Sequence, residues 1–207
     1  MMNVPASTNE VEQAPRMRLV RSCRFLGGRF FWLAGILSGR RLGHGSANMT
    51  GEQPAVAMRI ALYEPEIAGN VGAILRLGAC MGVDVDLIEP MGFVWDDKRV
   101  RRAAMDYIDH VNVTRHAGFS AFKQAITPAR VVLFTTKAEQ YVHDFRFEPN
   151  DVLLFGKESA GVSAEVAQAC EARVRIAIRP QVRSLNLAIA SALALGEALR
   201  QTGGLPG

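Results

Sequence analysis

From residue 58 onward, the spacing of apolar positions shifts repeatedly between the periods of a strand and of a helix. Arg59–Tyr63 is a short apolar run that stops at Glu64-Pro65. Asn70–Met81 places Val71, Ile74, Leu75 and Gly78 on one helical face, with Gly82 as the C-cap. Val85–Ile88 reads as a second strand closed by Glu89-Pro90, Val111–Val113 as a third, and Phe119–Ile126 as a helix. Val131–Thr135 and Val152–Phe155 are the β-branched or aromatic runs that a parallel sheet buries on both faces. Ser163–Cys170 predicts a short helix with Ser163 as N-cap and Glu165 in its first turn. Arg173–Ile178 predicts the last strand, and Leu185–Gln201 a long final helix. Such alternation predicts an α/β fold with a mostly parallel sheet flanked by helices.

The final helix is apolar on nearly every side from Leu185 to Leu195. A helix of that kind must be covered all round. A domain spanning 58–207 cannot enclose all of its outer helices, so a homodimer interface is expected, with a central core helix as the alternative.

Residues 1–57 have a different character. Ser, Gly, Pro and Arg surround one apolar patch, Phe30–Leu37, which falls short of the roughly 20 residues a bilayer span needs. The segment is expected to be a disordered or mis-assigned N-terminal extension, with the functional domain, 58–207, starting at Met58. A targeting peptide or an RNA-binding arm are the alternatives. It holds seven arginines and three acids, which accounts for the whole net charge of +4 and leaves 58–207 neutral. Any nucleic-acid contact must therefore come from a local basic patch. The densest such cluster is Lys98, Arg99, Arg101 and Arg102. Cys23, Cys80 and Cys170 are far apart, and the four histidines lack metal-ligand spacing. Neither a disulfide framework nor a metal site is expected, and a reducing cytoplasm is the simple location.

Three segments carry candidate chemistry. Gly69 and Gly72 flank Asn70 at a strand-to-helix junction, and Arg76 points off the apolar stripe of the same helix. Asn70 reads either as a helix cap or as a functional amide, and Arg76 either as solvated surface or as a guanidinium aimed at a phosphate or an activated hydroxyl. Leu153–Gly161 is a buried strand running into a glycine-bounded loop that holds Glu158. It lacks the upstream glycine and the Ser or Thr of a Walker A loop, and the chain has no G-x-G-x-x-G, so nucleotide-dependent oxidoreduction is disfavoured. Arg183-Ser184-Leu185-Asn186 opens the apolar helix, where Ser184 is a candidate N-cap and free amides could meet a ligand edge.

Residues 58–201 resemble the SPOUT-class RNA 2'-O-methyltransferases, specifically the minimal enzymes that modify the anticodon wobble nucleotide of tRNA (the TrmL type). The resemblance is carried by L-Y-E-P-E-I at 62–67, N-x-G-x-I-x-R at 70–76, I-E-P-M-G-F-x-W-D-D-K-R at 88–99 and R-R-A-x-x-D-Y at 101–107. It continues through V-T-R-H at 113–116, T-T-K at 135–137, F-G-x-E-x-x-G at 155–161 and R-S-x-N-L at 183–187.

That resemblance implies a C-terminal trefoil knot, a homodimer, S-adenosylmethionine as cofactor and the tRNA anticodon stem-loop as partner. It implies cofactor contacts from Phe134, Gly156, Ile176, Ser184 and Leu185. It places Asn70, Arg76, Glu158, Ser184 and Asn186 in the catalytic motifs, with Arg76 helping to activate the ribose hydroxyl across the dimer. It also raises the Lys98–Arg102 cluster to an RNA contact. A guanidinium is a poor base, so Arg76 is expected to act with a phosphate or by stabilising a developing alkoxide. Displacement at a sulfonium methyl needs no metal. The chain departs from the pattern at Ala68-Gly69, Ala160, Ala177 and Gly196, the last standing where a tyrosine is usual. Methylation of ribosomal RNA or of another tRNA position, and non-catalytic RNA binding, are the alternatives.

Overall fold

The computed structural model describes residues 57–96 and 105–207. Six strands form one all-parallel sheet in the order β3-β2-β1-β5-β4-β6. The strands are β1 (Arg59–Tyr63), β2 (Asp84–Ile88), β3 (Val113–His116), β4 (Val131–Phe134), β5 (Val152–Phe155) and β6 (Ala172–Val174). The helices are α1 (Ala68–Met81), α2 (Phe119–Ile126), α3 (Ala164–Gln168) and α4 (Leu187–Thr202), with 3-10 turns at Met105–His110 and Val142–Asp144.

The sheet separates two apolar layers. Ile60, Leu62, Leu87, Leu153 and Phe155 face α1 and α4, which pack against each other through Val71, Ile74, Leu75, Leu195 and Leu199. Ala61, Ile88, Leu133 and Leu154 face Phe122 and Ile126 of α2 and Val166 of α3. Every residue of β4 and β5 is buried, as their unbroken apolar runs require.

Local sequence sets the element ends. Gly78 lets α1 approach β2 closely, since a Cβ there would lie 2.7 Å from the Val83 carbonyl oxygen. Gly82 then ends α1 in the left-handed region, φ 67°, its N–H donating to Gly78. Ser163 caps α3 by accepting from Val166 N–H, as expected. The α4 cap differs from expectation. Asn186, not Ser184, is the N-cap, accepting from Ala188 N–H at 2.9 Å and Ile189 N–H at 3.3 Å, so the helix starts at Leu187.

Two strands are also displaced from their expected positions. β3 pairs through Val113–His116 rather than Val111–Val113. An edge strand tolerates polar residues: Arg115 is held there by Glu89, just past β2, and His116 by Asp86 in the middle of β2. β6 stops at Val174 because its neighbours change. Val174 still accepts from Thr135 N–H on the β4 side, whereas Arg175 donates to Gln140 O at 2.9 Å and accepts from Val142 N–H at 2.8 Å. The N–H and C=O groups of successive strand residues point to opposite edges, so this chain segment runs between the end of β4 and the 140–142 segment.

α4 is only half covered. Leu187, Ser191, Ala194, Leu195 and Ala198 are buried, but Ile189 and Leu193, one turn apart, are 54% and 52% exposed.

Candidate active site

The sheet order reverses between β1 and β5: one half runs β1-β2-β3 and the other β5-β4-β6. In an open parallel sheet such a reversal leaves a crevice beyond the carboxyl ends of the two central strands, where ligands bind. The loops leaving β1 and β5 meet there.

The β5 loop is a closed turn. Lys157 N–H donates to Gly161 O at 3.1 Å and Gly161 N–H returns to Lys157 O at 2.8 Å. Gly156 has no room for a side chain, because a Cβ would lie 2.5 Å from the Gly161 carbonyl carbon. Gly161 adopts φ 73°, which a glycine takes without strain. The two glycines of F-G-x-E-x-x-G thus have separate structural reasons, and together they raise Lys157, Glu158 and Ser159 toward the β1 loop.

Three contacts join the loops. Lys157 Nζ donates to Glu64 Oε2 at 2.8 Å. Ser159 donates through both its N–H (2.8 Å) and its hydroxyl (2.7 Å) to the Glu66 carboxylate. Glu66 N–H, in return, donates to Glu158 Oε2 at 2.9 Å. The Lys157 hydrogen bond holds Glu64 below the usual carboxylate range, and the Ser159 hydroxyl does the same for Glu66. Glu64 itself sits at φ 47°, an unusual backbone conformation for a side-chain-bearing residue, fixed by its N–H bond to Ile88 O.

A directional relay completes the crevice. The first amides of α4 donate to Asn186 Oδ1. Asn186 Nδ2 donates to Asn70 Oδ1 at 2.9 Å, and Asn70 Nδ2 donates to Glu158 Oε1 at 2.8 Å. Asn70 is buried in the first turn of α1 and does not cap it; Ile67 occupies that position with no side-chain bond. Both Glu158 oxygens therefore accept hydrogen bonds from the protein. Three residues from three distant motifs, Asn70, Glu158 and Asn186, form one network, as their motif spacing could not show.

The expected cofactor positions also gather at this end of the sheet. Phe134 ends β4 in register with Phe155 and Val174, its ring stacked on Phe155 at 4.9 Å and 15°. Gly156 and Ile176 lie one and two residues beyond β5 and β6. Ser184 is exposed and Leu185 half-buried in the loop held against α1 by the Asn186–Asn70 bond. Between Ile176 and Leu185 the backbone makes one hydrogen bond among the described residues, Val182 N–H to Arg179 O. The other amides and carbonyls of that stretch have no backbone partner among the described residues, so the residues present can meet the hydrogen-bonding edge of an adenosyl group.

Arg76 stands apart from the relay. It is exposed on α1, six residues and about 9 Å along the helix from Asn70, and its guanidinium lies 4.8 Å from the Tyr107 ring centroid. Lys98, Arg99, Arg101 and Arg102 lie outside the described residues. Sequence reasoning missed Glu64, Glu66, Lys157 and Ser159 as site residues; their only signal was the polar E-P-E and K-E-S triplets beside strand ends. Among the described residues no group of three His, Cys, Asp or Glu is placed to hold a metal ion, and no helix is long and apolar enough to cross a membrane.

A model of the SpoU rRNA Methylase family matches residues 57–196. The chain belongs to that family. Among relatives, a tRNA (cytidine(34)-2'-O)-methyltransferase of Beijerinckia indica is 53% identical over 148 residues, 70% of this chain and 92% of the relative. A solved structure on the 2-OH methylation of C/U34 on tRNA superposes with a TM-score of 0.67 at 39% identity, covering 70% of this chain and 95% of that one. An AdoMet-bound rRNA methyltransferase from Sinorhizobium meliloti gives a TM-score of 0.63 at 28% identity, covering 70% and 56%. Asn70, Glu158 and Asn186 all lie within the matched range, and their relay closes at the sheet's switch point.

Proposed function

We propose that this chain is a tRNA (cytidine/uridine 34) ribose 2'-O-methyltransferase that uses S-adenosylmethionine, works as a homodimer and resides in the cytoplasm. The observation that carries this is the 53% identity spanning 92% of a relative of that activity. The more distant match to an rRNA methyltransferase, at 28% identity, favours tRNA over ribosomal RNA. Passage of the chain at 174–175 between β4 and the 140–142 segment supports the trefoil knot implied by the family.

The cofactor would supply an electrophilic methyl group; the protein supplies alignment, and the ribose proton leaves to solvent water as the oxygen takes up the methyl group. Phe134, Gly156, Ile176, Ser184 and Leu185 would line its site. Glu158, with both oxygens engaged, positions Asn70 rather than taking a proton. Asn186 ties that network to the α4 amides, fixing the crevice before substrate arrives. Holding the reacting atoms in line accounts for several kcal/mol of barrier reduction. Arg76 faces outward and serves a ribose or phosphate presented at the dimer surface, where its charge stabilises the developing alkoxide. The exposed Ile189–Leu193 face of α4 supports the dimer.

Mass spectrometry of anticodon-loop fragments, from cells with and without the gene, tests the assignment. Loss of a ribose methyl at position 34 is expected on deletion; an unchanged nucleotide 34 with a methyl missing elsewhere refutes it.

A further inference from the structure

Arg173, Arg175, Arg179 and Arg183 fall within eleven residues, and no acid occurs between Glu171 and Glu197. Several arginines elsewhere have carboxylate partners: Arg59 with Asp84 and Asp86, Arg115 with Glu89, Arg130 with Glu148 and Asp151, Arg200 with Glu197. By contrast, Arg173, Arg179 and Arg183 are exposed and form no ion pair among the described residues. Guanidiniums gathered without counter-charge repel one another, and a polyanion relieves that repulsion.

The fourth arginine is stacked. The Arg175 guanidinium lies 4.1 Å from the Tyr141 ring centroid, and its buried Nε has no hydrogen-bond partner. Tyr141 stacks in turn on His143 at 5.3 Å and 19°, and the His143 side chain is 60% exposed. Asp144 approaches the His143 edge at 3.6 Å, which leaves the ring face opposite Tyr141 open for stacking. Two acids, Glu139 and Asp144, lie on the segment carrying this stack, so the positive charge belongs to 173–183.

Unpaired arginines next to an open aromatic stack form the combination that holds single-stranded nucleic acid, with cations on phosphates and rings on bases. A small anion needs one enclosed pocket; a strip of exposed guanidiniums suits a chain of phosphates. Ile176 lies within the strip and Ser184 directly follows it, so the strip borders the candidate cofactor site. We infer that Arg173, Arg179 and Arg183 bind phosphates of the RNA flanking the target ribose, while the Arg175–Tyr141–His143 stack receives a flanking base. This rests on the tRNA reading above and adds residues that the sequence reading did not single out for RNA.

The test uses the full-length chain and a fluorescent anticodon stem-loop RNA, with Kd measured across a salt series and S-adenosylmethionine titrated by calorimetry. Arg179→Ala/Arg183→Ala should weaken RNA binding about tenfold or more and lower the slope of log Kd against log salt by about 1.4 to 1.8. Cofactor affinity and melting temperature should stay at wild-type values. Arg179→Lys/Arg183→Lys should restore most of the affinity, because a phosphate accepts either cation. His143→Ala should weaken binding about fivefold or more with the slope unchanged. If the wild type methylates position 34 while the double alanine variant keeps its affinity and slope, the strip is overturned and the tRNA reading stands. If the wild type binds cofactor but no stem-loop, both fall.

Discussion

We propose that the Glu158 carboxylate positions Asn70 rather than serving as a base. One oxygen accepts from Asn70 and the other from Glu66 N–H. Glu158→Gln keeps the shape but replaces an acceptor with a donor, which leaves one of those two groups unpaired. A charge-assisted bond of this kind contributes about 1.5–3 kcal/mol, so kcat should fall about tenfold or more, while cofactor affinity changes little. Steady-state kinetics with tRNA, beside a cofactor titration, checks this; a variant with normal kcat would show that Asn70 needs no such support. Arg76→Ala should abolish methyl transfer while leaving the fold intact, since Arg76 is exposed on α1. Near-normal turnover would remove it from the mechanism.

At the scale of elements, the loops after β1 and β5 behave as a clasp. Lys157 lowers the pKa of Glu64 from its ordinary 4.5, and Glu64 raises that of Lys157 from its ordinary 10.5. The Glu64 contribution is therefore fully present above pH 4.5 and is lost as pH falls through its lowered folded value. The Lys157 contribution is fully present below pH 10.5 and is lost as pH rises through its raised value. Lys157→Met removes both, so wild type should melt higher than the variant at neutral pH, and the gap should close in acid. Thermal melts against pH measure this; an equal gap at about pH 3 and about pH 7 would show that the pair has no electrostatic share in stability.

The same elements show what could be read from sequence. β1, β4 and β5 were legible because buried strands are continuous apolar runs, and α1 because its stripe repeats at the helical period. β3 was misplaced because an edge strand can be polar, and β6 was overextended because its partner past Val174 is the 140–142 segment. Ser184 looked like the α4 cap, yet Asn186 both caps the helix and reaches Asn70. The motif residues of the relay were named from family resemblance. Their bonding, and the Glu66–Ser159 contact across 93 residues, depend on topology that periodicity does not encode.

For the whole molecule, an apolar α4 was expected to be covered on all sides, yet Ile189 and Leu193 on one of its faces are exposed. Leu193 is 52% exposed, so Leu193→Asp should leave the protomer folded. In a dimer that uses this face it would bury an unpaired charge. Light scattering should then report a monomer, with tRNA turnover lost; a dimeric, active variant would place the interface elsewhere. We also propose that 58–207 is the working domain. Deleting residues 1–57 should leave turnover and tRNA affinity within about twofold of the full chain, and a large loss of tRNA affinity would make the segment an RNA-binding arm. The most direct test of the whole account is methylation by the purified chain, with labelled S-adenosylmethionine and unmodified tRNA, followed by fragment mapping. The account predicts one ribose methyl at nucleotide 34 and none without the cofactor. Label at any other nucleotide, or no transfer by a folded chain that binds both substrates, would contradict it.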